Sequence, residues 1–204
     1  MEKQIKFKEA FSYGWKAMIA NFWAFLLTFI ILFAICGLAN YVNDLKGNFC
    51  MEAIFFLAYY LILGFASAML MKILLNVYNK KQMFDKMEDV FPRLIKFIAA
   101  YFLYLILTCL GLALLVIPGI IIAIKYQYVP FLIIDKNLSI GEAFTESSAM
   151  TAGVQWPLFA FWIFSVLISG FGFLVFGIGA LFTVPTVWMA VTFMYKDLLK
   201  QKKD

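Results

Sequence analysis

Apolar residues in this chain come in long runs, with the polar ones gathered in short clusters between them. A membrane-spanning helix needs roughly 20 mostly apolar residues to cross about 30 Å of hydrocarbon. Charge-free runs of that kind cover 22–39 and 53–71. A third run, 97–134, is too long for one crossing and holds a single charge, Lys125. Pro118-Gly119 lies inside it, and such a pair closes a helix and turns the chain. The run therefore divides into spans near 97–117 and 119–134. The last run, 156–195, has 40 residues without a charge, roughly 60 Å if helical. Gly170, Gly172, Gly177 and Gly179 break it into spans near 156–173 and 178–195. The pattern predicts six transmembrane helices.

Three segments before these spans have a different period. In the first, about 5–19, Phe7, Phe11, Trp15 and Met18 form a helical stripe, with Lys8, Ser12 and Lys16 off it. In the second, about 83–95, Met83, Met87, Val90, Phe91 and Leu94 stand against Asp85, Glu88, Asp89 and Lys96. The third, about 139–152, carries Leu138, Ile140, Ala143, Phe144 and Met150. It opens on Ser139-x-x-Glu142, the spacing of a capping box. Each is an amphipathic helix expected to lie in the headgroup plane ahead of a transmembrane hairpin. The first and third align at an offset of 133: Glu9-Ala10-Phe11 with Glu142-Ala143-Phe144, Ser12 with Thr145, and Trp23 with Trp156. Two readings stand, a repeated unit or the general likeness of any basic lead-in before an apolar hairpin.

Composition fixes the class. Of 204 residues, 65% are hydrophobic and only 14% charged, against about 25% charged in soluble domains. That excludes a soluble enzyme, a disordered regulator and a nucleic-acid module. Charge then orients the spans. With a cytoplasmic amino terminus, Lys3, Lys6, Lys8, Lys16, Lys72, Lys80, Lys81, Lys86, Arg93, Lys96, Lys136, Lys196, Lys200, Lys202 and Lys203 share one side. Lys46 alone is outside. The positive-inside rule thus favours an all-α membrane protein with six spans and both termini in the cytoplasm. The net charge of +5 is spread over juxtamembrane segments, which suits anionic lipid and not nucleic acid. A polar leader of about 20 residues with Lys16 deep inside it argues against a cleaved signal peptide.

With these residues in place, the chain resembles a known group. Glu-Ala-Phe, Asn21-Phe22-Trp23, Ile117-Pro118-Gly119, and the stretch from Pro130 through Ser139, Glu142-Ala143-Phe144 and Ser147-Ser148 to Gly153 and Trp156 carry the likeness. It is similar to bacterial polytopic membrane proteins related to the membrane domain of membrane-anchored glycerophosphodiester phosphodiesterases. The resemblance implies a six-helix domain in a bacterial cytoplasmic membrane. It implies no catalysis, because the phosphodiesterase is a separate soluble module.

The inventory of reactive side chains is thin. The chain has no histidine, so the usual general base and the imidazole metal sites are missing. Cys36, Cys50 and Cys109 lack metal or redox spacing; Cys36 and Cys109 read as small apolar fillers. No catalytic, cofactor or metal site is expected. Lys125 is the exception, a lysine near the middle of a span, where translocon scales charge about 2.5–3.5 kcal/mol. With Tyr126, Gln127 and Tyr128 it makes a short polar belt that would meet a ligand or lipid, or else be satisfied by other helices. The first expectation is a non-catalytic scaffold that binds membrane lipids or a protein partner in the membrane. The alternative is a small transporter or exporter of an amphipathic or anionic compound using a cavity near Lys125. A membrane enzyme would need Asp135, Glu142 and Glu146 to cluster.

Overall fold

A computed structural model describes residues 4–44, 49–174 and 179–202, but not the side chains of 32, 33, 35, 36, 38–44 and 49–57. The described residues form helices and connecting turns: α1 (Phe7–Ala20), α2 (Phe22–Asp44), α3 (Phe49–Tyr78), a 3-10 segment (Met87–Arg93), α4 (Leu94–Leu114), α5 (Val116–Tyr126), α6 (Val129–Lys136), α7 (Ile140–Thr151), α8 (Gln155–Leu174) and α9 (Ala180–Gln201). Four stretches are long and apolar enough to cross a bilayer: Ala58–Tyr78, Met87–Leu114, Val116–Lys136 and Gln155–Leu174. A fifth candidate is the pair Phe7–Ala20 and Phe22–Ile31, bent by 85°. Asn21 sits at that bend and caps α1, its side-chain amide donating to the Ala17 carbonyl at 3.0 Å. The sixth expected span falls on α9. Its last two turns carry Lys196, Asp197 and Lys200, half of its residues are buried by protein, and it is not among the stretches apolar enough to cross a bilayer.

Several sequence expectations shift. The third run breaks at Leu115, which is extended, three residues before Pro118-Gly119. Pro118 instead sits in the first turn of α5, where its missing N–H costs nothing. The segment 83–95 is not one amphipathic helix; its start is turn and its middle 3-10. On α1 the buried face is Ala10, Gly14, Ala17 and Met18, while Trp15 is 48% exposed. Cys109 is exposed on α4 and fills no internal gap. Cys36 and Cys50 have side chains outside the description.

The three lead-ins dock in cyclic order. The 3-10 segment packs on α3, α7 on α5 and α6, and α1 on α9, so each covers the second arm of the preceding hairpin and the last closes on the first. The first arms follow the same rule, with α4 beside α3, α8 beside α5 and α2 beside α9. The boundaries repeat too. Phe7 and Ile140 open α1 and α7, and Phe22 and Gln155 open α2 and α8, both pairs 133 apart. The middle lead-in shares the acid–small–Phe element as Asp89-Val90-Phe91, and Ala10, Val90 and Ala143 are all fully buried. The second arms α3, α6 and α9 meet in the centre. Half of the most apolar window of Val116–Lys136 is buried, against 17% for Met87–Leu114, whose outer face suits lipid.

Close backbone approach holds the joints. At the tip of the α4–α5 hairpin a Cβ on Gly111 would lie 2.9 Å from the Gly119 Cα. At the α8–α9 tip a Cβ on Gly179 would lie 2.6 Å from the Gly172 carbonyl oxygen. On α1, a Cβ on Gly14 would collide with the Thr186 carbonyl of α9, a backbone atom that cannot give way. Gly170 has open space around it. Gly14→Ala should therefore destabilise the protein by about 1–3 kcal/mol. Gly170→Ala should leave it unchanged or raise it by up to about 1 kcal/mol, through helix propensity alone. Thermal unfolding of the two variants in detergent checks the contrast; equal midpoints would contradict the α1–α9 packing.

Candidate functional site

Lys125 is the penultimate residue of α5, just before the break at Gln127-Tyr128, and Pro130 restarts the chain as α6. The break divides the expected polar belt. Tyr128 turns into the core, 1% exposed, with ring centroids of Phe131 and Tyr195 at 6.3 and 5.8 Å. Tyr126 faces α7, its ring 4.9 Å from Phe144. The Lys125 ammonium lies 5.4 Å from the Tyr126 ring centroid. Among the described residues no carboxylate comes within ion-pair distance of it. Gln127 has a buried side-chain nitrogen with no hydrogen-bond partner. So the structure pairs Lys125 with Tyr126 and sends Tyr128 elsewhere.

The backbone at this break is held by α7. Ser147 Oγ donates to the Lys125 carbonyl at 2.8 Å, and Thr151 Oγ1 lies 3.3 Å from the same oxygen. A carbonyl at the end of a helix has no intrahelical partner, and two hydroxyls supply one here. Ser147 aligns with Gly14 at the offset of 133, so the same lead-in position meets a neighbouring backbone in both copies. That alignment was available in the sequence; the residues it would touch were not.

The acidic residues are occupied differently. Asp135 at the end of α6 accepts from Lys196 Nζ at 2.9 and 2.8 Å and from the Tyr195 hydroxyl at 2.9 Å. The Lys196 and Asp135 side chains are 14% and 16% exposed. Glu146 on α7 accepts from Lys202 and lies 3.7 Å from Lys136. Glu142 accepts from the Ser139 amide at 2.9 Å and hydroxyl at 2.7 Å, completing the capping box. Each of the three carboxylates proposed for a catalytic cluster therefore has local partners of its own. Arg93 donates to the Ile134 carbonyl and ties the second lead-in to the end of α6. Lys196, Tyr195 and Arg93 were not singled out in the sequence, where they read as ordinary juxtamembrane residues. Among the described residues no three metal-ligating side chains converge.

Among the described residues, cavities lie in two of the seams between units. One, about 140 Å³, is lined by Ile117, Ile120, Ile121, Ile124, Trp156 and Phe159 with Gln155. The other, about 520 Å³, runs between α3 and α4 past Leu61, Ile98 and Phe102. Both are apolar.

Fold and sequence together define a multi-pass, all-α membrane protein. The chain is 29% identical over 124 residues to the UPF0259 membrane protein of Wigglesworthia glossinidia brevipalpis, a match covering 59% of this chain. The match spans 42% of that relative's length. The likeness is to a bacterial membrane protein and carries no link to glycerophosphodiester phosphodiesterases. No protein-family model matches the chain, and no solved structure matches it.

The Lys202 hydrogen bond to Glu146, helped by the charges of Lys202 and Lys136, holds the Glu146 carboxyl below its ordinary value of 4.5 despite partial desolvation. A depressed carboxyl pKa contributes stability that is present above the unfolded value and is lost as pH falls through the folded one. The thermal midpoint should thus drop as pH is lowered below about 4.5, and Glu146→Gln should drop less steeply over that window. Parallel pH curves for the two proteins would contradict the clamp.

Proposed function

We propose that this chain is a non-catalytic module of a bacterial cytoplasmic membrane that crosses the bilayer six times with both termini in the cytoplasm. It acts as a scaffold or lipid-interacting unit through its lateral surface. The observation that carries this reading is the filled centre: Tyr128, Leu132, Ile133, Met194 and Tyr195 are all buried where the second arms meet. A translocation pathway needs polar, water-accessible space, and this centre offers side chains. The pairing of Asp135, Glu142 and Glu146 with nearby cations and caps likewise favours structure over turnover.

The alternative is a small transporter or exporter of an amphipathic or anionic compound. It rests on Lys125, whose charge has no carboxylate partner among the described residues. The cavity between α5 and α8 is apolar and Lys125 is not among its lining residues, which favours the first reading.

Topology is tested in a cysteine-free background. A membrane-impermeant maleimide added to spheroplasts should label Gly47→Cys and leave Ser12→Cys and Lys202→Cys unlabelled until the cells are opened. Labelling of either terminal position from outside would reject the orientation. Function is tested by native mass spectrometry from mild detergent together with flux from reconstituted liposomes. Retained phospholipid or a stoichiometric membrane protein, without flux of anionic amphiphiles, is the expected result. Saturable flux that disappears in Lys125→Ala would replace the scaffold with the transporter.

A further inference from the structure

The second residue of each first arm is a large apolar side chain turned outward. These are Trp23 on α2, Ile95 on α4 and Trp156 on α8, which are 79%, 81% and 67% exposed. Lys96 follows Ile95 directly. Exposed tryptophan with lysine alongside belongs at the boundary between headgroups and hydrocarbon, so these residues mark the depth at which the arms enter the membrane. From Ile95 to Leu114, the last residue of α4, the helix rises about 28 Å. From Trp156 to Leu174, the last residue of α8, it rises about 27 Å. The hydrocarbon is about 30 Å thick, and the bilayer with its headgroups about 40–45 Å. Arms of this length bring the hairpin ends to the outer edge of the hydrocarbon, with nothing left to carry them through the headgroups.

The α4–α5 tip is built for that depth. Over 110–124 no side chain is polar. Leu114, Leu115, Val116 and Ile117 are all exposed. The turn is tight, with Leu115 alone outside helix. Its N–H donates to the Gly111 carbonyl at 3.0 Å, and its carbonyl accepts from the Gly119 N–H at 3.2 Å. Pro118, in the first turn of α5, has no N–H to leave without a partner. A turn in water needs none of this; a turn in hydrocarbon does, because backbone groups without partners are costly there. The α2–α3 connection is the contrast, since Asp44 is followed by Leu45-Lys46-Gly47-Asn48, a charged and polar stretch that suits water. The α4–α5 tip also offers a protein partner no polar side chain to fix an orientation, whereas acyl chains need none.

We propose that the α4–α5 tip ends beneath the outer headgroups and that acyl chains of outer-leaflet phospholipid cover residues 114–117. The hairpin reaches across the hydrocarbon without presenting its turn to water. This deepens the lipid-interacting reading above, rests on it, and gives one lipid contact a place and a chemistry: the acyl chain, with no demand on the headgroup.

The test places a single cysteine in the cysteine-free full chain, Leu115→Cys, with Val116→Cys as a second position. Thermal midpoints within a few degrees of the parent establish folding, and either position alone decides. Each is labelled with bimane in detergent and reconstituted into vesicles of phosphatidylethanolamine and phosphatidylglycerol, with or without bromine on the acyl chains. Brominated lipid should quench the bimane several-fold more than iodide supplied on both sides, and its emission should be blue-shifted relative to bimane at Gly47→Cys. In spheroplasts, unlabelled Leu115→Cys should react with the impermeant maleimide many-fold more slowly than Gly47→Cys. Iodide quenching that equals or exceeds quenching by brominated lipid overturns the proposal. If the same cysteine is nevertheless protected in spheroplasts, a protein partner covers the tip instead. Labelling as fast as at Gly47→Cys also overturns it. The broader reading fails elsewhere, through flux or through labelling of Ser12→Cys from outside, and neither result alters the quenching at 115.

Discussion

Everything in this bundle hangs on α1 lying against α9 with no side chain between them at Gly14. Inside a membrane there is little hydrophobic gain from bringing two helices together, because lipid tails are as apolar as leucine. What joins helices there is close van der Waals contact and the hydrogen bonds that proximity allows. The Gly14 backbone fits under the Thr186 carbonyl, Gln4 and Gln201 exchange hydrogen bonds at 2.9 and 3.0 Å, and Phe7 and Phe11 reach Phe161 of the neighbouring α8. That joint closes the order of units. Without it α9 would expose threonines that are now buried, Thr186 and Thr192.

The same logic recurs with different chemistry at the other two joints. Ser147 and Thr151 hold the carbonyl freed by the break after α5. Asn76, buried on α3, donates to the carbonyls of Met83 and Asp85 at 3.1 and 2.8 Å and so anchors the approach to the second lead-in. Lys72 adds an ion pair to Asp89 at 3.8 Å. Small residues work where backbones touch, and polar ones work where a backbone group would otherwise be left without a partner in a poorly solvated place. Ion pairs gather where the lysine-bearing ends of α6 and α9 meet Asp135 and Glu146, where desolvation is partial and two lysines can share one carboxylate. The arrangement leaves a packed interior and puts the variable features, open or filled seams, on the lateral surface.

Much of this was legible in the sequence because bilayer thickness is a strong ruler. Helical runs separated by polar clusters, and the 133-residue offset between Glu9-Ala10-Phe11 and Glu142-Ala143-Phe144, were visible without any contact. The exact breaks were less so. Pro118 draws attention as a helix breaker, yet in the first turn of α5 it is harmless, and Leu115 turns the chain because Gly111 and Gly119 let the arms touch. Trp15 reads as part of an inward stripe by period, but Ala10, Gly14 and Ala17 win that face because only small residues fit against α9. The middle lead-in hid its kinship because it is a short 3-10 segment, with Pro92 inside it, that holds Asp89-Val90-Phe91 where the other two lead-ins have an α-helix.

The opening pattern of long apolar runs settles that the chain belongs in a bilayer, roughly where it crosses, and that Lys125 is out of keeping with its surroundings. Those are one-dimensional facts, set by how many uncharged residues follow one another. Which side chains meet is a different matter, since it depends on the rotation of each helix and on which neighbour it finds. Only the folded chain separates Tyr128 from Lys125, occupies Asp135 and Glu146 with lysines, and sets the Lys125 ammonium over the Tyr126 ring with no carboxylate partner among the described residues. A periodic pattern gives a helix a face; packing decides what that face touches.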